Sequence, residues 1–248
     1  MTKELHVVAL SGGKDSTAMA LRLKELHPDR AYTYVCTPTG NELPEMFNHW
    51  AMLRQRLGGN FIPIMGGTLE GQIEKQGCLP NFRMRWCTRI LKIEPYAAWL
   101  MQQSQNYERI VSYVGIRADE EEREGGDYTN VPGIEMVFPM REWGWGINDV
   151  MDYLQGQCIT IPDRTDCALC FFQQLYEWWI LWKDHPDLYQ RGVDLEAATN
   201  HTFRTDGRDT WPTSLAGLRE KFEAGFIPRN KKRQGDLFGT LQCRVCRK

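Results

Sequence analysis

The chain has 248 residues, 42% of them hydrophobic and 25% charged, with a formal net charge of −2. That balance is ordinary for a globular protein and gives no overall pull toward nucleic acid. No apolar run approaches the roughly 18 residues of a membrane span, and Met1-Thr2-Lys3-Glu4 carries no signal-peptide pattern. Eight cysteines without such a signal predict a reducing cytoplasm, where paired cysteines bind metal or do redox work more often than they form structural disulfides.

The first predicted element is a buried strand, His6-Val7-Val8-Ala9-Leu10, and a helix follows at residues 17–23. Between them lies Ser11-Gly12-Gly13-Lys14-Asp15-Ser16. A glycine pair at a strand-to-helix turn lets backbone N–H groups close on an anion, and the helix N-terminus adds partial positive charge. Lys14 adds a full charge, and Ser11 and Ser16 add hydroxyl donors. The stretch is not a Walker A loop, because Lys14 is followed by Asp15 and no glycine stands at the required distance upstream. An acidic residue in a phosphate loop suggests a bridging Mg2+ ion.

Further strands are predicted at residues 31–36, 60–64 and 109–115, and helices at 43–57 and 89–103. Residues 109–115 are near-continuously apolar, as in a parallel sheet. Strands alternating with helices give an α/β fold with a doubly wound, mostly parallel sheet, whose ligand sits beyond the carboxyl ends of the strands. The acidic run from Asp119 to Glu124 reads as solvated surface. After Pro139, tryptophan-rich helices at 147–155 and 171–182 suggest a smaller helical region. The expected organisation is a nucleotide-binding domain over 1–140, a helical cysteine-bearing region over 141–228 and a basic tail over 229–248. Trp178, Trp179 and Trp182 at helical spacing suit core packing or base stacking. Residues 201–204 and 207–212 read as a polar loop.

Cys167-Ala168-Leu169-Cys170 is a Cys-x-x-Cys pair, with Cys158 upstream, Cys87 far upstream and a second pair at Cys243 and Cys246. Thiolates are soft ligands that suit an iron–sulfur cluster or zinc. The alternative is that these cysteines pack as small hydrophobes, the preferred reading for Cys36 within its strand. Arg83, Arg85, Arg89 and Lys92 form a basic set around Cys87, suited to a substrate phosphate or to a solvated helix face.

Residues 11–16 resemble the PP-loop of the ATP pyrophosphatase (adenine nucleotide alpha-hydrolase) superfamily. Further segments resemble its phosphoadenosine phosphosulfate reductase-like branch. These are Thr39-Gly40-Asn41-Glu42-Leu43-Pro44, Cys87-Thr88 with Lys92, Gly115-Ile116-Arg117-Ala118-Asp119-Glu120 with Arg123, Pro139-Met140-Arg141-Glu142-Trp143 with Asp149-Val150, and residues 164–170. The resemblance implies ATP and Mg2+ at Ser11, Gly12, Gly13, Lys14, Asp15 and Ser16, with Thr39, Gly40, Glu42 and Arg117 bordering the nucleotide. It implies a [4Fe-4S] cluster, with zinc as the alternative, on Cys87, Cys167 and Cys170, and Cys158 as candidate fourth ligand. The intact loop favours ATP over a sulfonucleotide, and the chain's Cys243-Arg244-Val245-Cys246 replaces the reductases' Glu-Cys-Gly-x-His ending. Catalytic roles fall to Lys14, Asp15, Cys243 and Cys246.

The expected activity is ATP-dependent adenylation with sulfur transfer to a nucleic acid or nucleotide, as in DNA phosphorothioation and tRNA thiolation enzymes. The rivals are sulfonucleotide reduction, a zinc-containing ligase or amidating enzyme, and a subunit of a nucleic-acid-modification complex. Expected partners are a nucleotide, a DNA or tRNA acceptor, and a sulfur donor protein or sulfide. No membrane is expected, and oligomeric state is open.

Overall fold

A computed structural model describes residues 3–207 and 209–230. Five strands, β1 (Glu4–Ala9), β2 (Tyr32–Cys36), β3 (Asn60–Pro63), β4 (Arg109–Tyr113) and β5 (Ile134–Val137), form one sheet in the order β3-β2-β1-β4-β5. Every neighbouring pair is parallel. The expected α/β architecture is present, with one strand more than the sequence predicted. β5 is four residues long and carries Glu135 at its centre, too short and too polar to show a pattern.

Around the sheet run α1 (Lys14–Leu26), α2 (Pro44–Leu57), α3 (Leu69–Gln76), α4 (Trp86–Thr88), α5 (Glu94–Gln103), α6 (Pro139–Glu142), α7 (Ile147–Gly156), α8 (Leu175–Asp184), α9 (Pro186–Thr199) and α10 (Leu215–Glu223). Alternate strand residues face opposite ways, and two cores follow from that alternation. Val8, Tyr34 and Val111 join Met19, Leu23, Val150 and Leu154 on one face. Val7, Val35 and Ile110 join Tyr96 and Leu100 on the other. Val7 and Val8 are fully buried, each stabilising the fold by about 1.5–3 kcal/mol. A third core joins Leu43, Leu69, Trp86 and Leu91 to Leu169, Trp178, Tyr189, Phe203 and Leu215.

The helix predicted over 171–182 begins later, at Leu175. Residues 170–174 instead form a turn in which Gln173 N–H donates to Cys170 O at 2.9 Å. The Glu177 carboxylate accepts from Gln174 N–H at 2.7 Å and starts α8. The helix predicted over 89–103 contains a wide π turn at Arg89–Ile93, where Glu94 N–H donates to Arg89 O. The turn abuts Pro95, which has no N–H and whose ring crowds the preceding turn.

Chain order locates the ligand end. β2 lies on one side of β1 and β4 on the other, so the loops leaving β1 and β4 diverge at a topological switch point, where open α/β sheets bind ligands.

Candidate functional site

Residues 11–13 leave β1 at this switch point and lead directly into α1. Gly12 has φ +86, and a Cβ there would lie 2.5 Å from Trp50 Nε1, so the turn demands glycine on conformation and on space. The Trp50 indole donates to Ser11 O at 3.1 Å and fastens α2 to the loop. Within the loop Gly12 N–H donates to Ser16 Oγ at 3.2 Å, Gly13 N–H to Ser11 Oγ at 3.3 Å, and the two hydroxyls are 2.9 Å apart. These are the groups that a phosphate oxygen would engage at a helix N-terminus. Beneath them His49 sits buried, with Nε2 3.4 Å from Thr17 Oγ1, and burial pushes its pKa down, favouring the neutral ring.

Lys14 Nζ lies 3.2 Å from Asp15 Oδ2. Both Asp15 oxygens also accept from Arg117 Nη1 at 3.1 Å. Arg117 comes from the loop after β4, donates to Asp119 Oδ1 at 2.7 Å through Nε and lies 3.8 Å from Glu120 Oε2. Its side chain is 2% exposed. Burial alone would lower its pKa; Asp15, Asp119 and Glu120 together hold it above the ordinary value. The resemblance had placed Arg117 at the nucleotide. The structure turns its guanidinium onto carboxylates, and so it supports Asp15. Gly115 lets the two loops touch, since a Cβ there would stand 3.1 Å from Ser16 N.

The Thr39–Glu42 turn follows β2. The Glu42 carboxylate accepts from Thr39 N–H and Oγ1–H, both at 2.7 Å, and Gly40 packs at φ +69 on Thr68. Asn41, 1% exposed, joins this turn to the cysteine loop. Its amide donates to Leu169 O at 2.9 Å and accepts from Leu169 N–H at 3.2 Å, while its own backbone O accepts from Ala168 N–H at 2.6 Å. Arg191 from α9 donates to Asn41 Oδ1 at 2.8 Å and pairs with Glu70 at 2.7 Å. Sequence reasoning passed over Asn41, Arg191 and Glu70, although Asn41 lies inside a motif singled out for its neighbours.

Cys87, Cys167 and Cys170 lie within electrostatic reach of one another. Burial raises the Cys87 pKa, the Cys167 charge adds to this and Lys92 opposes it. Burial raises Cys170 strongly, with Cys167, Asp166 and Cys87 adding, while Phe172 N–H opposes. Thr39 Oγ1 is 3.7 Å from Cys167 Sγ, and Arg164 Nη2 donates to Cys167 O at 2.8 Å. Thiolates are donors of the type that suits soft metals. Among the described residues no three His, Cys, Asp or Glu side chains are grouped to hold one metal ion.

Cys158 is not part of this gathering. It is exposed, and its neighbour Gln157 accepts from Arg56 near the C-terminal end of α2. The cysteine loop is held at the other end of that helix, roughly 20 Å away at 1.5 Å per residue. Arg83 and Arg89 are exposed, Arg89 pairing with Glu94, and Arg85 lies over the Phe172 ring at 5.2 Å. Cys243 and Cys246 lie outside the described residues. A cleft of about 290 Å³ opens at the opposite end of the sheet, lined by His6, Arg30 and Tyr107. Among the described residues no helix is long and apolar enough to cross a membrane.

Residues 5–163 match the phosphoadenosine phosphosulfate reductase domain. The chain belongs to that family. The phosphoadenosine phosphosulfate reductase domain match takes in the phosphate loop, Arg117 and Cys87 and ends before Cys167 and Cys170. Similar solved structures include the phosphoadenylyl-sulfate reductase of Candida auris in a phosphate complex (12% identity, 65% of this chain, 75% of that chain, TM-score 0.45). Another is the U34-tRNA thiolase of Methanococcus maripaludis with its [4Fe-4S] cluster (15% identity, 99% and 80%, TM-score 0.49). A third is a predicted tRNA methyltransferase subunit from Methanocaldococcus jannaschii (17% identity, 62% and 74%, TM-score 0.37). No curated protein matches the chain.

Proposed function

We propose that this family member is an ATP-dependent adenylating enzyme that transfers sulfur to a nucleotide or nucleic-acid acceptor. The observation that carries the reading is the meeting of two chemistries at one end of the sheet. Gly13 stands against Thr165, whose Oγ1 is 3.5 Å from where a glycine Cβ would be, two residues before Cys167. The phosphate loop and the thiols are therefore neighbours.

In this reading an acceptor oxygen attacks the α-phosphorus of ATP and pyrophosphate leaves; a sulfur nucleophile then displaces AMP together with that oxygen. The Gly12 and Gly13 amides, freed from the serine hydroxyls, hold the departing phosphates with Lys14, where donors stabilise charge that grows in the transition state. Asp15, oriented by Arg117, would hold Mg2+ with its remaining lone pairs. Thr39 and Gly40 border the nucleoside. Cys87, Cys167 and Cys170 would hold an iron–sulfur cluster, whose chemistry when bound is to carry sulfide. Cys158, apart from the other three, is left out of the proposed ligand set.

The test is anaerobic purification with iron, sulfide and zinc analysis, followed by assay of AMP and pyrophosphate from ATP. Iron and acid-labile sulfide that vanish in Cys167→Ala, with pyrophosphate release that vanishes in Lys14→Ala, support the reading. Stoichiometric zinc, or sulfite made from a sulfonucleotide without ATP, overturns it.

A further inference from the structure

Beside the thiols the molecule presents an exposed aromatic and basic turn that the adenylation reading does not use. Asn81 builds it. Its Oδ1 accepts from Arg83 N–H at 2.9 Å and Met84 N–H at 3.0 Å, and its own N–H donates to Met84 O at 3.2 Å. The turn thrusts Phe82 and Met84 outward at 48% and 50% exposure, although a tight hydrogen-bonded turn has no packing need to show apolar side chains to water. Phe82 stands edge-on to Phe172 at 4.9 Å and Phe171 at 5.3 Å, so its orientation is set. Arg85 covers the Phe172 ring. Phe172 in turn gives its N–H to Cys170, which ties this platform to the thiol pocket.

The charge is local. Residues 81–92 hold Arg83, Arg85, Arg89 and Lys92 and no acidic residue, in a chain whose net charge is −2. A fixed aromatic face with arginines beside it is the combination that takes an unstacked base and its flanking phosphates. A duplex keeps its bases stacked inside and cannot offer one.

We infer that the Phe82 turn is a docking surface for single-stranded nucleic acid, stacking one unpaired base on Phe82 with its phosphates against Arg83 and Arg85, and so delivering an acceptor to the neighbouring thiol pocket. The delivery clause rests on the proposed function; the binding does not.

The experiment uses the full chain and fluorescein-labelled twelve-nucleotide single strands, in ribose and deoxyribose form, read by anisotropy across a salt series, with the matched duplex as control. Phe82→Ala is expected to weaken single-strand binding about tenfold or more with the salt slope kept, and Phe82→Trp to restore it. Arg83→Ala is expected to weaken all single strands alike and flatten the salt slope by about 0.7. The ribose and deoxyribose arms tell RNA from DNA. No binding by the wild type at low salt, equal binding of strand and duplex, or unchanged binding in both alanine variants overturns the inference. Pyrophosphate release is measured on the same preparations. Its absence with intact Phe82-dependent binding removes the adenylation reading and leaves the surface; its presence without binding does the reverse.

Discussion

The phosphate loop occupies six consecutive residues and satisfies its polar atoms largely from within, through the Ser11 and Ser16 hydroxyls. The cysteine pocket takes Cys87 from the start of a helix and Cys167 and Cys170 from a loop eighty residues later. One asparagine pins that loop. The first region is pre-set for an anion. The second buries Cys87 and Cys170, whose charged forms are disfavoured. The loop is thus built from local hydrogen bonds, while the cysteine pocket is built by long-range packing.

Breaking the first region is expected to cost most. Arg117→Met would leave the carboxylates of Asp15, Asp119 and Glu120 facing one another around a buried position, a loss of about 3–5 kcal/mol in urea unfolding. A loss below about 1 kcal/mol would mean that the loop does not depend on its buried cation. Asn41→Ala sharpens the contrast: it strips Leu169 N–H and O of their side-chain partner for about 2 kcal/mol. It should speed alkylation of Cys167 and Cys170 read by mass spectrometry, yet leave ATP affinity in place. Equal alkylation rates would show that packing, not Asn41, holds the cysteine loop.

A pH dependence lies behind that loop. Glu196 accepts from Phe203 N–H at 2.9 Å and Leu215 N–H at 2.6 Å, and burial raises its pKa from 4.5 to about 7. The folded state then holds the proton more tightly than the unfolded one. The stability this contributes is full below 4.5 and is lost as pH rises through 7. Thermal unfolding of Glu196→Gln across that window should show a flatter profile than the wild type; identical profiles would remove Glu196 as the cause.

The two regions also differ in how far the sequence disclosed them. Residues 11–16 are contiguous, so the strand-to-helix turn with its glycine pair, lysine and acid could be read directly. The cysteines were visible as a set, but their grouping depends on the third core, and no periodicity shows that Leu169 and Tyr189 pack in one cluster. Cys158 was a candidate fourth ligand in the sequence, and its exposure and the course of α2 set it apart from Cys167. Arg117 was visible as a motif residue; its role turned on burial among carboxylates, a three-dimensional fact. α3 and α9 escaped because their apolar positions are few and interrupted by charge.

The π turn at Arg89–Ile93 sets the phase of everything before it. One residue too many for an α turn lies between Cys87 and α5, and each helical residue is about 100° of rotation. Deleting a single residue there, even exposed Ile93, would swing Trp86 and Cys87 about a quarter turn around the axis relative to α5. Trp86 would leave its core and Cys87 would face away from Cys167. In this segment chain length is the angular setting of a thiol, and an indel would act on the pocket as a point mutation of Cys87 would.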